Sequence, residues 1–222
     1  MFRSENIRAL RIAFLENVLL SMLSVLLVIL SFPPFDYGWL IWIALVPIMI
    51  VCRRLSAVHS FVFGLLSGAG MAIGIFWWIF NVPGFRYFHA IPAATYVGLY
   101  AGVWCAGIPA TRRLRVPLVV SAPAMWVALD FLKAHAGFLS LPWASLAHSQ
   151  HNYPVVLQIS SVTGEYGITF LIVAVNAAVA ACFFRSVFKQ QILAAVLLGG
   201  SIIFGVHQLS QDDTSDTHRI AV

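Results

Sequence analysis

Charge is what this sequence has least of. Lys and Arg number 13 and Asp and Glu 8 among 222 residues, so 9% of the chain is charged against 61% hydrophobic, with a mean hydropathy of +0.91. A soluble domain of this size has too little interior to hide that much apolar surface, so lipid is the solvent for most of the chain. The charges stand in short clusters between long apolar runs, as expected when a charge at mid-bilayer costs about 2.5–3.5 kcal/mol on insertion scales. The net charge of +5 is then a topology signal. No soluble basic face offers itself to nucleic acid.

Cysteine is scarce too. Cys52, Cys105 and Cys182 show no spacing that suggests a disulfide framework or a zinc site. A nucleophilic thiol needs a lowered pKa and a nearby base, and apolar surroundings work the other way, so all three read as structural. His89, His135, His148 and His151 fall in loops without a His-x-x-x-His or carboxylate-rich pattern, and no metal or other cofactor is expected. Internal repeats with broken helices, the mark of many transporters, are also lacking.

What is present is a series of apolar runs: 12–30, 38–51, 57–80, 91–110, 117–132, 167–184 and 191–207. At about 17–25 residues per crossing these predict an all-α integral membrane protein, a bundle of about seven transmembrane helices. The second run is short and needs Tyr37, Trp39 and Trp42 as interfacial anchors, with Pro47 expected to kink it. The first is preceded by Arg3, Arg8 and Arg11 as a signal peptide would be. Its length, its Glu16 and the lack of a small-x-small cleavage site favour a retained span.

Orientation follows from alternate loops. Arg3, Arg8, Arg11, Arg53, Arg54, Arg112, Arg113, Arg115, Arg185 and Lys189 fall on one side, and only Arg86, Lys133 and Arg219 on the other. The positive-inside rule puts the N-terminus in the cytoplasm and the C-terminus on the external, periplasmic face. On this reading 1–208 is a polytopic transmembrane domain and 209–222 an external tail.

The external face also collects the unusual segments: 32–37, 81–89 and the long, apolar 133–167. The last is either a re-entrant piece whose backbone is covered by protein or an ordinary interfacial connection. Of the acids near spans, Asp130 has Lys133 at i+3, and Glu16 lies within reach of Arg11 or water. Glu165, between Gly164 and Gly167, is the acid to watch. Gly64, Gly68, Gly70 and Gly74 follow helix-packing spacing, and Trp77 and Trp78 suit an aromatic belt.

Five stretches occur in an order that resembles the membrane domain of bacterial apolipoprotein N-acyltransferase. They are 30–36 (LSFPPFD), 64–78 with its glycine-rich start and Trp finish, 122–132 (APAMWVALDFL), 141–150 (LPWASLAHSQ), and 164–171 (GEYGITFL) followed by Asn176. The resemblance implies an inner-membrane protein of lipoprotein maturation. An acyl chain would pass from a phosphatidylethanolamine-like phospholipid to a Cys thiolate, and then to the α-amine of a diacylglyceryl-cysteine at a lipoprotein N-terminus.

The same resemblance assigns that chemistry to a Glu-Lys-Cys triad in an external nitrilase-like domain. Residues 219–222 resemble the first strand of that domain, and no position of this sequence matches the triad, so no catalytic residue is assigned. Acyl transfer by these residues alone is not expected. The family's laterally open lipid cavity maps onto 32–36, 77–84 and 142–150. Trp143 is the leading lipid-contact candidate, with Pro142, Trp77, Trp78, Phe35, Glu165 and Tyr166 around it. A non-enzymatic lipid-binding module, or a scaffold for a separately encoded nitrilase-like domain, is the alternative expectation.

Overall fold

The computed structural model describes residues 2–184 and 188–212. Among them there is no strand. The helices are α1 (Phe2–Leu30), α2 (Ile41–Ala44), α3 (Val46–Arg54), α4 (Ala57–Ile75), α5 (Tyr87–Arg113), α6 (Leu118–Ala134), α7 (Pro154–Leu157), α8 (Ser160–Cys182) and α9 (Lys189–Asp212), with short 3₁₀ turns between several of them. Stretches of α1, α4, α5, α8 and α9 are long and apolar enough to cross a membrane. The other two apolar runs become the 17-residue α6 and the broken pair α2–α3.

The short second run is short because it is the centre of the bundle. Every residue from Val46 to Cys52 is buried, and α3 packs against α1, α4, α5 and α8. A core helix has no outer face that must match the bilayer, so it need not span its full thickness.

The break ahead of Pro47 is repaired by side chains from distant helices. In a continuous helix the Leu45 N–H would bond to the Ile41 carbonyl four residues back. Here the Asn176 amide from α8 stands between them: Leu45 N–H donates to Asn176 Oδ1 at 2.8 Å, and Asn176 Nδ2 donates to the Ile41 carbonyl at 2.9 Å. Ser24 of α1 supports the same break just past Pro47, accepting from Ile48 N–H at 2.9 Å. Away from water each unpaired backbone group would be costly, which explains two buried polar residues pointed at one kink.

The glycines of α4 serve two neighbours. A Cβ on Gly68 would lie 2.5 Å from Ala101 Cβ of α5, and one on Gly74 would meet Ile29 Cδ1 of α1 at 2.2 Å. Without side chains at these positions α4 wedges between both helices. The outer faces are the reverse of a soluble protein's: Leu10, Phe14, Met22, Ile203 and Val206 all stand exposed, as lipid contact requires.

Several boundaries differ from the sequence expectation. The third run stops being α-helical at Ile75 and tightens into a 3₁₀ turn at Trp77–Asn81. The sixth starts earlier than residue 167, at Ser160, bending at Gly164 where φ is +64°. Glu16 pairs with Arg54 at 3.3 Å, not with Arg11, because α1 and α3 pack side by side. Arg185 and residues 213–222, most of the expected tail, lie outside the described residues.

Candidate functional site

One end of the bundle is built around the segment that joins α6 to α8. This segment is not a surface loop, since Leu146, Ala147, Ser149 and Gln150 are buried and the first two belong to the main hydrophobic core. Gln150 ties it down: its Nε2 donates to the Gly38 carbonyl at 2.8 Å, and its Oε1 accepts from Trp42 Nε1 at 3.1 Å. Gly38 is required at that contact, because a Cβ there would stand 2.2 Å from the Ser149 carbonyl oxygen. Ser145 Oγ meets Thr169 Oγ1 of α8 at 2.9 Å, closing the segment onto the helix that follows.

Three adjoining cavities open around Trp143, with volumes of about 670, 480 and 620 Å³ including their mouths. Trp143 and Phe76 line all three. The largest runs inward between α4, α5 and α6 past Met71, Trp104 and Trp126. The second is walled almost wholly by apolar side chains, among them Ile79, Phe80 and Phe85. The third brings Trp78 and Phe32 to the same Trp143, whose ring centroid is 6.0 Å from that of Trp78. Branched, apolar, aromatic-lined space of this kind suits hydrocarbon chains.

A buried ion pair stands in the wall of the largest of these three cavities. Lys133 Nζ and Asp130 Oδ1 are 2.8 Å apart, each side chain only 8% exposed. The i,i+3 spacing in the sequence pointed to the pair, and the structure shows it buried. Lys133 also fixes the next segment from both sides. Its Nζ donates to the Trp143 carbonyl at 3.2 Å, and its own carbonyl accepts from Leu141 N–H at 3.0 Å. Just beyond, Ala144 is held at φ +59°, a backbone conformation that costs a β-carbon residue about 1 kcal/mol or more. The chain therefore turns abruptly after Trp143, leaving the indole 53% exposed at the junction of the cavities.

The other sequence candidates separate. Trp78 joins Trp143 in the third cavity, whereas Trp77, Pro142 and Phe35 are exposed and line none of the three. Glu165 pairs with His148 Nε2 at 2.8 Å, and His148 lines the third cavity. Tyr166 packs its ring against Phe131, 5.8 Å between centroids. His151 turns to another acid, Asp36, at 3.6 Å. Cys52 and Cys105, far apart in sequence, are buried in contact with each other. Among the described residues no three His, Cys, Asp or Glu side chains converge as metal ligands would.

Sequence reasoning missed Phe76, Gln150 and the acceptor of Lys133. Phe76 was not singled out in the aromatic run that ends at Phe80, and the end of α4 one residue earlier brings it to the cavities. The Asp130–Lys133 spacing was a usable signal for the ion pair. Nothing in it named the Trp143 carbonyl.

A helical membrane domain with aromatic-walled apolar cavities gathered at one end is thus the class that fold and site define. The family described as apolipoprotein N-acyltransferase N-terminal domain matches residues 24–178, and the chain belongs to it. That match takes in α2 through α7, most of α8 and every residue of the Trp143 junction.

Among curated relatives, the apolipoprotein N-acyltransferase of Geobacter metallireducens is 28% identical over 231 aligned residues, covering 93% of this chain and 43% of the relative. That of Rhodopirellula baltica is 26% identical over 221, covering 87% and 38%. Apolipoprotein N-acyltransferase 1 of Treponema denticola is 32% identical over 180, covering 78% and 32%. The chain thus spans from just under a third to a little over two fifths of the length of these relatives.

Proposed function

We propose that this chain is the lipid-holding membrane part of an apolipoprotein N-acyltransferase, in the bacterial inner membrane. Its cavities take the acyl chains of a phosphatidylethanolamine-like phospholipid and of the diacylated lipoprotein N-terminus. Trp143 stands where chains and headgroup meet, as an indole with one apolar side and one polar edge is suited to do. The observation that carries this reading is the meeting of three apolar cavities on Trp143 and Phe76.

The acyl transfer itself needs a nucleophile and a base, and none is assigned to these 222 residues. Cys52 and Cys105 are buried, and Cys182 lies on α8 at the far end from Trp143. The chemistry is therefore assigned to a nitrilase-like domain, continuous with residues 209–222 or separately encoded, docked over the Trp143 end. In this arrangement the arginine-bearing end, where Arg53, Arg54 and Arg112 gather, is cytoplasmic and the Trp143 end periplasmic, in keeping with the positive-inside rule.

The test is direct binding. Purified protein is expected to bind phosphatidylethanolamine and a diacylated lipopeptide, with Trp143→Ala weakening both. Equal binding by the variant would remove Trp143 from the site, and acyl transfer by residues 1–222 alone would overturn the assignment of chemistry to another domain.

A further inference from the structure

The opposite end of the bundle holds a cavity of another character. It measures about 870 Å³ including its mouth and lies between the C-terminal ends of α3 and α5 and the start of α4. Arg53 and Arg54 enter from α3, Arg112 from α5, and Ser56 and Ala57 bring the N-terminus of the 19-residue α4. No carboxylate lines it.

The three arginines are not equally provided for. Arg54 has Glu16 at 3.3 Å. Among the described residues, Arg53 and Arg112 have no carboxylate partner, and Arg53 Nε is buried without a hydrogen bond. Arg112 is nonetheless drawn toward Arg53, its Nη1 donating to the Arg53 carbonyl at 3.3 Å. The Arg53 guanidinium meanwhile stands 5.1 Å over the Phe184 ring. Like charges held together beside lipid, with the positive end of a helix added, are unfavourable unless an anion joins them.

We infer that this cavity binds the phosphodiester group of an anionic phospholipid. The guanidinium fork matches pairs of phosphate oxygens in geometry as well as charge, and basic pockets between membrane helices are suited to lipid headgroups. The surroundings select a lipid over free phosphate. Leu55 lines the cavity, and Val58 and Leu114, which follow the lining residues Ala57 and Arg112 closely in sequence, are 73% and 72% exposed, apolar surface that the attached acyl chains would cover. This site lies at the other end of the bundle from Trp143 and does not depend on the function proposed for it.

The experiment compares phosphatidylglycerol with phosphatidylcholine, added in equal amounts to the detergent-solubilised full chain, by native mass spectrometry. Phosphatidylglycerol is expected to be retained in preference, and the preference to fall by about fivefold for each arginine removed in Arg53→Gln and Arg112→Gln. The Arg53→Lys/Arg112→Lys variant keeps the charge but loses the guanidinium fork, and is expected to keep a preference between those of the unmodified protein and the double Gln variant. On the unmodified protein, the preference is expected to weaken as salt is raised. Equal retention of the two lipids, a preference that ignores salt, or one that survives both Gln substitutions overturns the inference. Inorganic phosphate binding without any preference for phosphatidylglycerol overturns the lipid as its source.

Discussion

Lys133 Nζ donates to the backbone carbonyl of Trp143 at 3.2 Å while remaining paired with Asp130 at 2.8 Å. A buried charge thus positions the residue at the meeting point of three cavities. The cost of burying the ion pair is offset only while both partners and the carbonyl are in place, so the geometry of the cavity mouth and the stability of α6 depend on the same group.

Lys133→Met is expected to destabilise the protein by about 3–5 kcal/mol, because it leaves Asp130 buried and unpaired. Adding Asp130→Leu should recover most of that loss, since an apolar pair of similar volume satisfies the site. The double variant still lacks the donor to Trp143. Thermal unfolding in detergent should therefore separate from lipid binding: stability returns and phosphatidylethanolamine affinity does not. Full recovery of both would mean that the pair does not position Trp143.

Trp143→Ala and Trp77→Ala form a second comparison. Both indoles are about half exposed, at 53% and 47%, but only Trp143 faces the cavities. Binding of a diacylated lipopeptide is expected to fall several-fold for Trp143→Ala and to change little for Trp77→Ala. A matching loss in both would make belt anchoring, not cavity contact, the role of Trp143.

Asn176→Leu is expected to cost about 1–3 kcal/mol for the Ile41 carbonyl it orphans, and less for the Leu45 N–H, which keeps the Ile43 carbonyl as an acceptor. The measurement is the unfolding midpoint, with hydrogen exchange at Leu45 as a local readout. A neutral outcome would mean that α2 and α3 can close into one helix despite Pro47.

Glu165→Gln tests the exposed end of the scale. Its partner His148 is 45% exposed and Glu165 itself 33%, so solvent screens the pair and a loss below about 1 kcal/mol is expected. A larger loss would mark the pair as holding the bend at Gly164 together.

For orientation, reporter fusions after Arg54 and after Ser140 are expected to give opposite sides, the first cytoplasmic and the second periplasmic. Fusions on the same side would contradict the reading of the arginine clusters.

The bearing of sequence on structure differs from residue to residue. Gly64, Gly68 and Gly74 announced helix packing, because their spacing is the packing. Trp143 stood out through an ordered set of motifs. Gln150 and Asn176 did not stand out as chemistry: an amide in a polar stretch or within an apolar span has no local sign of its acceptor, and that of Asn176 on the Ile41 carbonyl lies 135 residues away. Phe76 was hidden for a different reason, since one helical residue more or less in α4 changes which aromatic points inward.

Composition and periodicity by themselves determined that this chain is a helical membrane protein, where its apolar runs lie and which of its ends carries the arginines, because the cost of placing charge in hydrocarbon acts on each residue separately. Only the tertiary structure decided that the shortest run is the core, that Asn176 and Ser24 repair its break, and that Lys133 holds Trp143 at the cavities. Those outcomes depend on which backbone groups are left unpaired once the helices pack, and no single segment carries that information.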